Sequence, residues 1–118
     1  MLCVGIDLVE ISRIKKSVER LNFSERILGE NEYLQLKERK FPIESIAASF
    51  CAKEAFIKCI GKLYEGFSYK DIELLRDKTG RPYINLNGAA YELFKGYQFS
   101  VSVTHTKEYA SCVIIMTN

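Results

Sequence analysis

Ser49-Phe50-Cys51-Ala52-Lys53-Glu54-Ala55-Phe56-Ile57-Lys58-Cys59-Ile60-Gly61 places charges on a helix that has almost no polar face to hold them. Laid out at about 100° per residue, Ile46, Phe50, Ile57 and Ile60 fall within about 80° of one another and form one apolar stripe. Ala48, Ala52, Ala55 and Cys59 occupy the back. A helix apolar on two sides is buried rather than amphipathic. Glu54 and Lys58, four residues apart, nevertheless share one face. They project beside Ala47, Cys51 and Gly61, which are all small and leave room for a bound group. An ordinary surface pair at this spacing contributes only about 0.2–0.5 kcal/mol, and the apolar surroundings argue against that simpler reading.

The chain around this helix has 118 residues, the size of one domain, 1–118, with a single core. A chain this short buries a modest share of its surface alone, so oligomerisation would help it. With 47% hydrophobic and 27% charged residues it reads as a soluble globular protein. The apolar run Val113 to Met116 is too short to span a bilayer. Met1 to Val4 is followed at once by Gly5 and Asp7, which does not read as a secretory leader. Four cysteines show no CxxC spacing, and three lie in apolar segments where Cys acts as a small hydrophobe. The expectation is a reduced, cytoplasmic chain. One histidine excludes a multi-histidine metal site, so a metal here would be oxygen-bound. A net charge of +2, with aromatics not interleaved among basic residues, gives no support for nucleic acid as a partner.

Leu2 to Asp7 alternates as a short strand, with Val4 and Ile6 on one face, Cys3, Gly5 and Asp7 on the other, and Asp7 at its C-terminal end. From Glu10 the period becomes helical, and Ile11, Ile14, Val18 and Leu21 make a buried stripe. On a neighbouring face Arg13, Lys16 and Arg20 form a basic ridge, whose simplest reading is a solvated helix face. Ser24 caps a short helix through Leu28, Gly29 stops it, and Asn31 caps Glu32 to Lys40. Pro42 suits the first turn of the central helix, from about Ile43 to Ile60, which ends at Gly61. Gly66, Phe67 and Tyr69 read as loop. Ile72 to Arg76, the turn Asp77-Lys78-Thr79-Gly80 and Pro82 to Leu86 read as a hairpin. Asn87 caps a helix through Phe94, and a second hairpin joins Phe99–Val103 to Tyr109–Met116 around a loop holding His105. The order β, several α, ββ, α, ββ predicts an α+β fold with a mainly antiparallel sheet packed against helices.

Asp7, the Glu54 and Lys58 pair, and His105 are the groups able to do chemistry. Each has a plainer reading: a strand-end Asp can cap the next helix, and a hairpin histidine can simply be exposed. If the two carboxylates converge, they make an oxygen site for Mg²⁺, which takes one or two protein carboxylates and completes its shell with water and phosphate oxygens. Lys58 would then supply a point charge to a phosphate on that metal, an arrangement suited to chemistry on a phosphate ester.

Gly5-Ile6-Asp7 followed by Glu10 and Arg13, then Phe50-x-x-Lys53-Glu54-Ala55-x-x-Lys58-x-x-Gly61, then Thr104-His105-Thr106, strongly resembles the 4′-phosphopantetheinyl transferases over essentially the whole chain. The short length matches the single-domain type, whose members assemble as homotrimers with the active site between neighbouring subunits. The resemblance implies transfer of the phosphopantetheine arm of coenzyme A to a serine of apo acyl carrier protein, releasing adenosine 3′,5′-bisphosphate. It assigns Asp7 and Glu54 to Mg²⁺, Lys58 to the transferred phosphate, and Glu54 or a metal-bound water as base for the serine. His105 and Thr106 would approach the nucleotide end of coenzyme A from the adjacent subunit, and Gly61 would let backbone approach the ligand. Acyl carrier proteins are acidic, so Arg13, Lys16 and Arg20 would steer one to the site. Two departures stand out: Ser49 occupies a position where many members carry a basic residue, and Cys51 replaces the usual Ala or Ser. A non-catalytic binding module and a hydrolase built on His105 are the competing readings. The intact Asp7, Glu54 and Lys58 argue against the first, and the lack of a nucleophile motif against the second.

Overall fold

The computed structural model describes residues 1–61 and 65–118. Its centre is the charged apolar helix, α4 (Ile43–Ile60), which begins after Pro42 and ends at Gly61 with φ 72°. A side chain at that φ is strained, and glycine removes the strain. Three antiparallel strands pack against α4 in the order β1-β5-β4: β1 (Leu2–Glu10), β4 (Gln98–His105) and β5 (Tyr109–Thr117). A separate antiparallel pair, β2 (Ile72–Arg76) and β3 (Pro82–Leu86), covers another side. Helices α1 (Ile11–Val18), α2 (Phe23–Ile27) and α3 (Glu30–Glu38) lie between β1 and α4 in sequence, and α5 (Gly88–Phe94) follows β3. The α+β class and the two hairpins agree with the alternation patterns in the sequence.

The apolar stripe of α4 is shared between two cores. Ile60 joins Ala52, Ala55, Phe56 and Cys59 against Ile72, Phe94 and Ile114, whereas Ile46 and Phe50 pack with Ile11, Ile14 and Leu36. Ile57 is only partly buried. Burying each large aliphatic or aromatic side chain contributes about 1.5–3 kcal/mol, so α4 is held by tertiary packing on nearly every side.

Several sequence expectations shift here. β1 continues to Glu10, so Asp7 is an interior strand residue paired with Cys112, not a strand end or a helix cap. The three further pairs that carry it past Asp7, Leu8 with Ser111, Val9 with Ala110 and Glu10 with Tyr109, come from the length of β5. Helix α1 stops at Val18, which leaves Leu21 87% exposed and places Arg20 beyond the helix. Asn22, in the left-handed conformation, replaces Ser24 at the start of α2, and Gly29 replaces Asn31 at the start of α3. Asn87 does stand at the N-cap of α5, as expected, but its side-chain amide, like that of Asn31, goes to Glu73 and makes no cap bond. His105 ends β4 rather than lying in the loop.

The close approach of β1 to α4 sets the position of Asp7. A Cβ on Gly5 would lie 2.0 Å from the Ala55 carbonyl oxygen and 2.6 Å from the Cys59 amide nitrogen. Only glycine permits that contact. Two residues on, the pleat turns Asp7 to the same side, against the same helix.

Candidate active site

Asp7 meets α4 at Cys51 and Lys58. Its Oδ1 accepts a hydrogen bond from the Lys58 ammonium at 2.9 Å, and its Oδ2 lies 3.7 Å from the Cys51 thiol. The Asp7 side chain is 14% exposed and that of Lys58 57% exposed, so the pair sits at the rim of the molecule. Burial, then the nearby Asp7 charge, pushes the Cys51 thiol up to about 12, so a neutral thiol faces the carboxylate. The hydrogen bond to Asp7 and the charge of that carboxylate raise the Lys58 ammonium above the ordinary lysine value, with Glu54 contributing in the same direction.

Glu54 is half-buried on α4, one helical turn before Lys58. Its Oε1 accepts a hydrogen bond from the Tyr69 hydroxyl at 2.5 Å. Burial, followed by that hydrogen bond and the charges of Glu54 and Asp7, raises the Tyr69 phenol above its usual value. Asp7 is bonded to Lys58, which stands one turn beyond Glu54 on α4, so the two carboxylates approach the same stretch of that helix. Of the four residues that the sequence singles out for chemistry, the fold thus brings Asp7, Glu54 and Lys58 to one stretch of α4. The room that small side chains leave beside Glu54 and Lys58 is filled at Cys51 by Asp7 itself, while Ala47 is fully buried in the second core and does not line the site.

From the sequence alone Tyr69 reads only as loop. It opens a single 3₁₀ turn, Tyr69–Asp71, directly before β2. The visible signal is Ser68-x-x-Asp71, a capping pattern that closes with Ser68 N donating to Asp71 Oδ2 at 3.2 Å. Nothing in the sequence spacing points the turn at Glu54.

Arg13 and Lys16 are exposed on α1, and Arg20 is exposed past its end. Arg13 borders a groove of about 330 Å³ shared with Leu8, Glu10, Ser17, Phe50 and Tyr109, which reaches α4 one turn before Glu54. His105 and Thr106 lie elsewhere. The His105 ring contacts the Thr106 carbonyl at 3.3 Å, and Thr106 organises the β4–β5 turn by accepting from the Glu108 and Tyr109 amides. His105 borders a charged cavity of about 570 Å³ with Arg39, Arg76, Lys78, Glu44 and Asp77. Glu44 is in the first turn of α4, about 15 Å of helix rise from Glu54. Within one chain, His105 therefore does not join Asp7, Glu54 and Lys58.

A second charged cluster occupies another side of α4, about 100° round the helix from Glu54. Lys53 is fully buried and donates to Glu32 Oε1 at 2.7 Å and to the Ile72 carbonyl. Glu32 also accepts from the Gly29 and Leu74 amides. Glu73 accepts from the Glu32 amide and from Asn31, Asn85 and Asn87. Among the described residues no buried side-chain nitrogen or oxygen lacks a partner.

Residues 3–113 match the 4′-phosphopantetheinyl transferase superfamily. Holo-acyl-carrier-protein synthase of Chloroherpeton thalassium is 43% identical over 116 residues, 96% of this chain and 95% of that protein. The Clostridium beijerinckii protein of the same name is 40% identical, covering 96% of this chain and 94% of its own. In structure, the Chronobacterium ammoniagenes ACPS–CoA complex superimposes with a TM-score of 0.86 at 25% identity, covering 99% and 97% of the two chains. The Helicobacter pylori holo-acyl-carrier-protein synthase in complex with coenzyme A gives 0.81 at 31% identity, covering 97% and 99%.

Proposed function

Because the chain belongs to the 4′-phosphopantetheinyl transferase superfamily, we propose that Asp7 and Glu54 are its cation-binding pair and Lys58 the charge that meets the transferred phosphate. The reaction is transfer of the 4′-phosphopantetheine arm of coenzyme A to a serine of apo acyl carrier protein. The serine oxygen forms a bond to the phosphorus that carries the pantetheine. The bond from that phosphorus to the bridging oxygen breaks, and its electron pair leaves with adenosine 3′,5′-bisphosphate. The serine proton goes to a base, for which Glu54 and a water that the cation would hold are the two candidates.

The observation that carries this reading is the Lys58 ammonium held 2.9 Å from Asp7, one turn from Glu54. Asp7 already receives a cation there, and both carboxylates are hard oxygen donors suited to Mg²⁺. Among the described residues no group of three or more His, Cys, Asp or Glu gathers, so water and substrate oxygens would complete the shell of a cation held by Asp7 and Glu54. Bound Mg²⁺ would neutralise the pyrophosphate of coenzyme A. Lys58, exposed and on a flexible stem, is free to pass from Asp7 to the phosphate and to offset charge on the departing oxygen. Arg13 and Lys16 on α1, with Arg20 beyond it, would draw in the acidic carrier along the groove that leads to α4.

The nucleotide end of coenzyme A we assign to His105 and Thr106 of a neighbouring copy in a homotrimer, with Gly61 as a point of close backbone approach. Two features support this: the distance of His105 from Glu54 in one chain, and an apolar β1 face directed outward. Leu2, Val4, Ile6 and Leu8 on that face are 72%, 62%, 62% and 63% exposed, more apolar surface than a lone domain ordinarily leaves to water. No described helix is long and apolar enough to cross a membrane. The test is direct: the chain with Mg²⁺, coenzyme A and apo carrier adds the phosphopantetheine mass to the carrier, and no gain refutes the assignment. A sedimenting monomer with full activity refutes the shared site.

A further inference from the structure

We propose that Tyr69 is a positioning residue for the carboxylate of Glu54, fixing it for cation capture; this rests on reading Glu54 as a cation ligand. The Tyr69 hydroxyl has one proton to donate and gives it to Glu54 Oε1 at 2.5 Å. Among the described residues no hydrogen bond reaches Oε2, so one oxygen is pinned and the other is open to a ligand.

Tyr69 can pin Glu54 because it is itself held from several directions. Its ring meets Phe50 edge-on, centroids 6.0 Å apart, and Phe50 stands one turn before Glu54 on the same helix. The turn it opens is closed by Ser68 and Asp71, and the Asp71 carbonyl accepts the Asn87 amide at 2.9 Å. The next carbonyl, that of Ile72, accepts the buried Lys53 ammonium. Tyr69 is therefore tied to α4 directly at Phe50, and the strand that follows its turn is tied there at Lys53. A half-buried glutamate with no partner would still sample several rotamers, and ordering it costs conformational entropy. A bond already made in the free protein removes that cost from cation binding.

The experiment uses Tyr69→Phe, which keeps the ring and its contact with Phe50, and reads Mn²⁺ binding to the protein alone by electron paramagnetic resonance. The expected result is about a tenfold weaker affinity with an unchanged melting temperature, a kcat about tenfold lower and a KM for coenzyme A within twofold. Unchanged affinity overturns the proposal. Tighter binding also overturns it, because the hydroxyl would then be a competitor for the carboxylate. Glu54→Gln separates this from the reading beneath it. If that variant binds Mn²⁺ normally, Glu54 is not a ligand and the cation assignment fails. If it loses Mn²⁺ while Tyr69→Phe keeps full affinity, only the positioning role fails. In the unsubstituted protein, Mg²⁺ alone should shift the ¹³Cζ resonance of labelled Tyr69, and a stationary resonance overturns the proposal without any variant.

Discussion

Lys53 and Glu54 are neighbours in sequence and face opposite fates. Lys53 lies in a sealed cluster where Glu32 and Glu73 receive hydrogen bonds at all four carboxylate oxygens, three of them from backbone amides. Glu54 and Asp7 lie at a rim, each bound to a single flexible or hydroxyl donor through one oxygen, with a neutral thiol as the weak partner of the other Asp7 oxygen. The sealed cluster has no valence left for a ligand, and the open one does. Charge on a buried helix is thus no guide to function by itself. What distinguishes the two is whether the fold has already satisfied the oxygens, since a fully paired buried charge specifies structure while an incompletely paired one is available for chemistry.

Substitutions on the two sides should diverge accordingly. The largest effect expected is on the open side: Glu54→Gln lowers the transfer rate by about a thousandfold, several kcal/mol in the transition state, with thermal unfolding unchanged. Rescue by excess Mg²⁺ would mark a metal role, and normal metal affinity without turnover a base role. On the sealed side, Lys53→Met leaves Glu32 and Glu73 without their cation and should cost about 3–5 kcal/mol in urea unfolding. A Lys53→Met protein as stable as the parent would erase the distinction. Lys58→Met removes transfer but also removes a positive charge from Asp7, so calorimetry should find Mg²⁺ bound roughly fivefold more tightly, the worth of about 1 kcal/mol between unit charges in water. Weaker binding would mean that Lys58 supports the metal rather than standing in for it.

The smallest effect is a pH slope. Burial alone would raise the Glu73 carboxyl, but the Glu32 amide and the three asparagine amides outweigh it and hold the group below the ordinary glutamate value. Above that value Glu73 is ionised in both folded and unfolded chains, and its contribution to stability is complete. As pH falls toward the lower folded value the unfolded chain takes up its proton first, and stability is lost. Glu73→Gln should flatten this acid limb in denaturation measured at pH 3 to 5, and an unaltered slope would exclude Glu73 as its source.

Most of the fold was legible because its signals are local. The period of two in β2 to β5 and the bounds of α4 at Pro42 and Gly61 come from nearest neighbours. The candidate site was legible through a helical spacing, Glu54 to Lys58, and through the motif that holds Asp7. The misses share one cause. β1 runs past Asp7 because β5 continues to pair with it; Asn31 and Asn87 turn their side-chain amides to Glu73 rather than to a helix end; Tyr69 reaches Glu54 across the fold. Each is decided by a partner far away in the chain, which pattern alone does not reveal. Lys53 illustrates it best: the residue sits inside the motif, yet its partner Glu32 lies in α3.

Gly5 and Asp7 press on α4 from one side of β1, while Val4, Ile6 and Leu8 look outward from the other. Parity along the strand therefore separates two duties with no spacer between them. Deleting Ile6 would either send the carboxylate to the outer face or drive the branched side chain of Val4 toward the Ala55 carbonyl. Loops of this chain can drift in length, but its first nine-residue strand must be inherited in frame with itself.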